Sequence, residues 1–195
     1  PLRLVGSEMC IRDRISTILI SITLFPMCLK AQETYIPILV PVTGFLSLEG
    51  TAQRNGAIQA LDKAPSSLNI KYEVSDTSTS PEVAVTALHR ALSRGQPVAI
   101  AAPIFGTQML AMLPVAKRAS VPLITVSGTA KLTELDNPFI FRFFPGDAIV
   151  KVAHARYVSE ILGSKRPALL YQTTAYGQSG YCLLYTSDAA DDTPC

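Results

Sequence analysis

The stretch Val98–Thr129, VAIAAPIFGTQMLAMLPVAKRASVPLITVSGT, decides how the sequence around it is interpreted. Two short apolar runs, Val98–Ala101 and Pro122–Val126, flank an amphipathic segment of helix length over Thr107–Ala119. Short apolar runs that alternate with helices predict buried strands of a parallel sheet. Each run ends in a loop of small or hydroxyl residues, and open α/β sheets bind ligands at such loops. The stretch therefore predicts one half of a small-molecule binding cleft.

The same alternation continues on both sides. Upstream, we predict strands over Ile36–Val40 and Ile70–Ser75 and a helix over Gly50–Ala64. A second upstream helix begins at the capping sequence Ser80-Pro81-Glu82 and ends at Gly95, with an apolar stripe that includes Val83. The alternation of strands and helices predicts an α/β fold with a doubly wound parallel sheet and right-handed crossovers.

Downstream of the central stretch, the pattern starts again. We predict a β-rich run over Phe139–Phe144, then a helix over Asp147–Leu162 whose apolar stripe includes Ile149 and Ile161. A buried strand over Ala168–Tyr171 and a strand-to-helix loop at Thr174–Gly177 follow. One strand and one helix cannot bury their apolar faces alone, so we expect a second, truncated domain here.

Both ends of the sequence are expected to be foreign to the protein. Met9–Asp13 back-translates as the start of ATG TGT ATA AGA GAC AG, whose reverse complement in another frame encodes the Cys182–Thr186 sequence Cys-Leu-Leu-Tyr-Thr. One DNA word read on opposite strands accounts for both ends and resembles a transposon end used in sequencing-library adapters. We therefore exclude residues 1–13 and 182–195 as adapter-derived. Chance similarity or an inverted genomic repeat is the alternative.

An export signal is predicted over residues 14–31. A basic residue precedes the apolar run Ile15–Leu24, and Ala31 offers a small residue for cleavage. The run is shorter than the ~20 residues of a transmembrane helix. Cys28 is an alternative site of lipid attachment, although Pro26 and Met27 stand where small residues are usual. A buried N-terminal helix of a cytosolic protein is the other alternative.

Composition and charge exclude several functional classes. With 48% hydrophobic and 16% charged residues, the chain is expected to be globular rather than disordered. A net charge of +2 and the absence of Trp give no case for a nucleic-acid partner. Without the foreign ends, Cys28 alone remains of four cysteines, so neither a disulfide nor a metal site is expected. His89 and His154 are expected to be helix-face histidines, and we expect no cofactor.

Catalysis is not expected. Gly177-Gln178-Ser179-Gly180 resembles part of a nucleophile elbow. The closing glycine of that motif is missing, however, because Tyr181 stands in its place, and no ordered Asp and His follow. The sequence contains neither a phosphate-loop lysine motif nor a G-x-G-x-x-G dinucleotide loop. A doubly wound enzyme would have to carry its catalytic residues elsewhere.

Four segments carry a family resemblance: PILVPVTGFLSLEGTAQRNGAIQALDKA, VSDTSTSPEVAVTALHRAL, VPLITVSGTAKLTELDNPFIFRFFPGDA and ALLYQTTAYGQSG. They resemble periplasmic branched-chain amino-acid-binding proteins, the type I substrate-binding subunits of ABC importers, over Tyr35–Gly180. The resemblance implies the periplasmic-binding-protein type I fold, with lobe one over residues 32–143 and the start of lobe two over residues 144–181. It also implies a periplasmic, monomeric protein that closes on a ligand by a hinge and delivers it to a membrane permease.

The resemblance further implies where the ligand lies. In this family, the loops after the third and fourth strands of lobe one hold the charged groups of an amino acid. A second-lobe tyrosine faces them. The ligand-binding residues implied here are Phe105, Gly106, Thr107, Ser127, Gly128, Thr129 and Tyr176. A helix N-terminus at Gly106 suits a carboxylate, and the Thr129 hydroxyl and Ser127 carbonyl are expected to accept from an ammonium.

Alternatives remain for this site and for the function. Ser127 and Thr129 are equally ordinary turn residues, Asp76 is expected to close a turn, and Tyr176 is otherwise an exposed loop tyrosine. Phe105 either stacks on an aromatic ligand or caps the core, and Glu49 stands where leucine-binding relatives often carry an aromatic. A branched-chain amino acid is therefore the family default. The alternative function is the extracellular ligand-sensing domain of a signalling or amide-responsive regulatory protein.

Overall fold

A computed structural model describes residues 33–188, with side chains through Tyr185. The predictions for the first adapter-derived segment, for the export signal with Cys28, and for residues 189–195 lie outside the described residues. Across the helices that are described, none is long and apolar enough to cross a membrane.

The described residues alternate between strands and helices, as the sequence predicts. The strands are β1 (Thr34–Val40), β2 (Ile70–Asp76), β3 (Ile100–Ala101), β4 (Leu123–Thr125) and β5 (Ile140–Arg142). The helices are α1 (Ser47–Asp62), α2 (Pro81–Arg94), α3 (Gly106–Ala119), α4 (Lys131–Glu134), α5 (Asp147–Arg156) and α6 (Ala175–Asp188). A 3₁₀ turn spans Ser66–Leu68, and a π-helical turn over Tyr157–Ile161 follows α5. At the start of α2, the Ser80 hydroxyl accepts a hydrogen bond from the Val83 amide, so the predicted cap is present.

The five strands form one parallel sheet in the order β2-β1-β3-β4-β5. Ile38 of β1 pairs with Ala101 of β3, and Ile100 pairs with Leu123 of β4. The prediction of a parallel α/β sheet is confirmed. Since all five strands run the same way, the loops that follow them meet at one edge of the sheet, which is where the sequence places the cleft.

The main core lies between the sheet and the pair α2 and α3. Its fully buried side chains include Leu39, Leu88, Ile100, Met109 and Leu123. The other face of the sheet packs on α1 near β1 and β2 and is more open toward β5, where the register partners Ile124 and Phe141 are both partly exposed. Val83, predicted on the apolar stripe of α2, is also partly exposed, because it lies in the first turn beyond this core.

Residues 144–188 differ from the prediction in two respects. The strand predicted over Ala168–Tyr171 is wrong: these residues form no regular structure, and Leu170 is 99% exposed. A parallel strand needs a neighbour for its backbone N–H and C=O groups, and no strand of the described residues lies beside this segment. Ile149 and Ile161, predicted on a buried stripe, are likewise mostly exposed, because no sheet within the described residues covers them.

Candidate functional site

The loop after β3, residues 102–105, is held from two sides. The Gln53 side chain on α1 donates to the Ala102 carbonyl (2.6 Å) and accepts from the Ile104 amide (3.1 Å). From the other side, the Thr125 hydroxyl at the end of β4 donates to the Pro103 carbonyl (2.8 Å). Three backbone groups of a four-residue loop are thereby fixed by side chains from two different elements. The start of α3 is preorganised as a result.

The loops after β3 and β4 meet at Gly106 and Thr129. Thr129 is fully buried, and a Cβ at position 106 would lie 2.8 Å from the Thr129 Cβ and still closer to its Oγ1. Only glycine leaves room for this approach. Ser127 is also fully buried; its amide donates to the Thr125 hydroxyl (3.1 Å), and its own hydroxyl lies 3.5 Å from Thr129 Oγ1. The two loops therefore form one packed ledge.

A cavity of about 600 Å³ lies against this ledge, within the usual size range of small-molecule sites. Four of the seven implied site residues are on its wall: Phe105, Gly106, Gly128 and Tyr176. The sequence did not identify the other wall residues up to position 151, which are Phe45, Leu46, Ile104, Val126, Phe144 and Lys151. The wall is completed by residues from 169–172 and from α6, including Tyr171, Gly180 and Tyr181.

Three implied site residues lie behind the wall. Ser127 and Thr129 are fully buried in the described conformation, and the expectation that they accept from a ligand ammonium stays a prediction. Their polar groups bind other parts of the ledge instead. The Thr107 side chain is turned inward, and its hydroxyl is buried without a hydrogen-bond partner in the described part of the chain. Burial at a tight loop contact is not visible in the pattern of residue types, so sequence alone does not show which of these polar groups face the protein interior.

Aromatic rings form one side of the cavity. The Phe45 and Phe105 rings meet edge to face, with centroids 5.4 Å apart and an interplanar angle of 86°. Phe105 is almost fully buried, whereas Phe45, which also lines the cavity, is 63% exposed. Glu49, which stands where leucine-binding relatives often carry an aromatic, is exposed and lies on a separate shallow groove beside α1. The aromatic position of this site is thus Phe45, in the loop after β1.

Lys151 and Tyr176 form a second pair of contacting residues on the cavity wall. Lys151 lies on α5, and its Nζ donates to the Tyr176 Oη (3.5 Å) while lying 5.2 Å from the centre of the Tyr176 ring. A Cβ at Gly180 would lie 3.0 Å from the Lys151 Cε, so glycine leaves space for the lysine stem. Tyr176 is partly exposed in the first turn of α6. The implied tyrosine therefore lies on the cavity with a cation beside it.

Asp147 lies directly behind Gly128. The Asp147 amide donates to the Gly128 carbonyl (2.8 Å), and a Cβ at position 128 would lie 3.0 Å from Asp147 Oδ1. Asp147 is 2% exposed, and its Oδ2 has no hydrogen-bond partner within the described residues. Desolvation raises the pKa of this carboxyl above its ordinary value, although the positive charges of Lys151 and Arg142 partly oppose the shift.

Asp76 closes the turn at the end of β2, as predicted. Its carboxylate accepts hydrogen bonds from the amides of Val42, Thr43 and Ser78 and from the hydroxyls of Thr43 and Ser78. Partial burial alone would raise the pKa of Asp76, but these hydrogen bonds together lower it below the ordinary value. The carboxylate thereby joins the loop after β1, which carries Phe45, to the loop after β2.

The histidines lie where the sequence places them. His89 on α2 and His154 on α5 are both exposed helix residues. Within residues 33–188, no group of three or more His, Cys, Asp or Glu side chains is arranged to hold a metal ion.

Comparison with known proteins agrees with this fold. The periplasmic binding protein family matches residues 33–182 of the chain. No curated protein matches. Among solved structures, the chain is similar to a leucine-binding protein LivK from Thermotoga maritima, with a TM-score of 0.74, 23% identity, and coverage of 80% of this chain and 45% of that one.

Two further solved structures are similar to the same extent. One is the branched-chain amino acid transporter substrate-binding protein LivJ from Streptococcus pneumoniae in complex with isoleucine, with a TM-score of 0.74, 22% identity, and coverage of 80% and 47%. The other is a solute-binding protein of an ABC transporter from Rhodopseudomonas palustris in complex with 3,4-dihydroxybenzoic acid, with a TM-score of 0.72, 21% identity, and coverage of 80% and 44%. The chain spans less than half the length of each.

Proposed function

This chain belongs to the periplasmic binding protein family and has its type I α/β fold, and from that premise we propose that it acts as the exported solute-binding subunit of an ABC importer. One observation carries the proposal. A cavity of ligand size lies at the edge where the strands of a parallel sheet end, and its wall includes Phe45, Phe105 and two glycines together with Lys151 and Tyr176.

We propose a small organic carboxylate as the ligand. The implied default is a branched-chain amino acid, and two of the similar structures are described by leucine or isoleucine, the third by a dihydroxybenzoic acid. The wall residues Phe105, Gly106, Gly128 and Tyr176 contact the ligand in this proposal. Thr107, Ser127 and Thr129 hold the ledge in shape.

The mechanism we propose is conformational. Residues 144–181 begin a second lobe that closes over ligand bound at the ledge, and the closed form is recognised by a membrane permease. A ligand shifts the balance between open and closed forms only by its differential affinity for them. The cavity has no nucleophile held by a base on its described wall, and the proposal assigns the protein no catalytic step. Export by a signal over residues 14–31, and the foreign origin of residues 1–13 and 182–195, belong to the same proposal.

Calorimetry tests this function. Leucine, isoleucine and 3,4-dihydroxybenzoate are titrated into the chain and into the complete product of the source gene, sequenced without library adapters. We expect micromolar or tighter binding of at least one compound by the complete product. This chain should bind it severely more weakly, because most of the second lobe is missing. Equally tight binding by both proteins would contradict the two-lobe mechanism.

A matched pair of variants places the binding in the cavity. Phe45→Ala removes an exposed ring from the wall and should weaken binding of the recognised compound, since a buried aromatic contact adds ~0.5–1.5 kcal/mol beyond its area. Leu48→Ala is the control, because Leu48 is at least as exposed, lies three residues after Phe45 in the first turn of α1 and does not line the cavity. Equal effects of the two variants would contradict this location.

A further inference from the structure

The charge on the cavity wall is one-sided. Of the wall residues, Lys151 alone has a charged side chain, and no Asp or Glu lines the cavity in the described part of the chain. A ligand carboxylate would meet a cation here. A ligand ammonium would meet the same cation and lose water without gaining an anionic partner, which is unfavourable in a partly enclosed site.

Lys151 is held in position to serve an anion. Its Nζ is placed by the Tyr176 hydroxyl and ring, and the missing side chain at Gly180 leaves room for its stem. Neither of the two ion pairs found within residues 33–188 involves Lys151. Three ammonium protons on one nitrogen allow it to donate to Tyr176 and to a ligand oxygen together.

The carboxylate on the same helix as Lys151 belongs to Asp147 and does not line the cavity. Asp147 precedes Lys151 by one helical turn, but it is 2% exposed and lies behind Gly128. Its charge acts on Lys151 through the protein rather than across the cavity. Reaching a ligand ammonium would require Asp147 to displace the ledge at Gly128, which its own amide hydrogen bond to the Gly128 carbonyl opposes.

The phenylalanine residues of the cavity wall suit a flat apolar group. Phe45 offers an exposed ring whose orientation is set by its edge-to-face contact with the buried Phe105. Phe144, also largely exposed, lies on the same wall. Aromatic rings prefer to stack on, or meet edge to face, other aromatic rings, so these side chains favour a planar ligand over a branched aliphatic one.

We propose that the ligand is an aromatic carboxylate without an ammonium group, and that Lys151 is the specificity-determining residue that binds its carboxylate. The inference rests on the proposed function, because it names the ligand class for the same cavity. The side chains assigned to the ligand lie inside the matched range 33–182 and outside the segments expected to be adapter-derived, whereas Leu184 on the cavity wall belongs to such a segment. The ring lies against Phe45 and Phe105, and the carboxylate lies at Lys151 and Tyr176.

Ligand-observed NMR with this chain, which detects weak complexes, tests the ligand class. The probes are benzoate, its uncharged counterpart benzamide, its non-aromatic counterpart cyclohexanecarboxylate, L-phenylalanine and L-leucine. We expect benzoate to bind about tenfold or more tightly than benzamide and L-phenylalanine, since a hydrogen bond to a charged group is lost or an ammonium is desolvated. Against cyclohexanecarboxylate, we expect a preference of about twofold to tenfold.

Substitutions of Lys151 test whether its positive charge binds the ligand carboxylate. Lys151→Met keeps the length of the side chain and should weaken benzoate binding about tenfold to a hundredfold while changing benzamide binding less than about twofold. Lys151→Arg should restore most of the benzoate affinity. Lys117→Met, the same loss of charge at an exposed position of α3 and off the cavity wall, should leave both affinities unchanged. Circular dichroism confirms that each variant is folded.

The outcomes separate the two proposals. L-leucine or L-phenylalanine binding more tightly than benzoate, with loss of that binding in Asp147→Asn, overturns the inference and leaves the solute-binding function in place. An unchanged benzoate affinity in Lys151→Met overturns the role of Lys151 alone. If no probe binds this chain, and neither amino acids nor aromatic acids bind the complete gene product, the solute-binding function fails, and the inference with it.

Discussion

Two apolar runs of similar length and composition differ in secondary structure and in burial. The run around Leu123, residues 122–126, contains β4 in the middle of a parallel sheet, and Leu123 is fully buried. The run around Leu170, residues 168–171, forms no strand, and Leu170 is almost fully exposed. Local sequence is alike in the two runs, so the difference lies in what surrounds them.

The first run has neighbours and the second does not. Leu123 pairs with Ile100 on one side and Ile140 on the other, and α3 covers it. Within the described residues, no strand pairs with Leu170 and no helix covers it. A strand is therefore a property of a sheet rather than of a five-residue pattern, because its backbone hydrogen bonds and its buried side chains both come from other segments.

A matched pair of leucine substitutions tests this comparison most directly. Leu123→Ala leaves a cavity in the core and should lower the free energy of unfolding by about 2–5 kcal/mol. Leu170→Ala removes a side chain that touches solvent and should change it by less than ~0.5 kcal/mol. Urea unfolding followed by circular dichroism measures both. A cost above 1 kcal/mol for Leu170→Ala would show that residues 168–171 are packed in solution.

The contact between Gly106 and Thr129 gives the next largest effect. Gly106→Ala places a methyl group against a fully buried threonine and should lower the free energy of unfolding by about 1–3 kcal/mol. Gly56→Ala is the matched control, because a Cβ there meets nothing within 4 Å and α1 should gain ~0.5–1 kcal/mol. Thermal unfolding compares the two.

The double variant Gly106→Ala/Thr129→Ala isolates the contact. Removing the threonine side chain makes room for the new methyl group, so the two substitutions together should cost less than the sum of their separate costs. Strict additivity would contradict the packed ledge and would leave the loops after β3 and β4 independent of each other.

Sequence predicted the strands and helices between residues 34 and 142 well for a physical reason. These strands and helices repeat a βα unit, so each apolar run has an apolar neighbour, and local pattern and global fold agree. The strand ends and the cavity position follow from parallel topology alone. Sequence did not predict features that depend on contacts between segments far apart in the chain. These features are the position of the Phe45 ring, the position of the Lys151 cation and the burial of Ser127 and Thr129.

The same limit applies to charge. Asp76 and Asp147 are the same residue type beside loops of the same sheet edge, yet their pKa values shift in opposite directions. Asp76 is surrounded by donors from the loops after β1 and β2. Asp147 is buried with an unpartnered oxygen. Only Asp76 was predicted from sequence, because Asp in a turn binds nearby backbone amides by a local rule.

Replacing each aspartate by asparagine should therefore have opposite and pH-dependent effects. The folded pKa of Asp76 is lowered, so its stabilising contribution is present above the ordinary pKa of an aspartate and is lost as the pH falls through the folded value. Asp76→Asn should lower the free energy of unfolding by about 1–2 kcal/mol at pH 7, and the difference from the unsubstituted chain should shrink in acid.

For Asp147 the sign is reversed. Its folded pKa is raised, so the folded state binds a proton more readily than the unfolded state, and the stability gained that way is full in acid and lost as the pH rises through the folded value. Asp147→Asn, which carries no charge at any pH, should match the unsubstituted chain in acid and exceed its stability at pH 7. Urea unfolding from pH 3 to 8 measures both variants. A loss of stability at pH 7 in Asp147→Asn would show instead that Lys151 and Arg142 stabilise the ionised carboxylate, and would connect the ledge to α5 by charge rather than by packing.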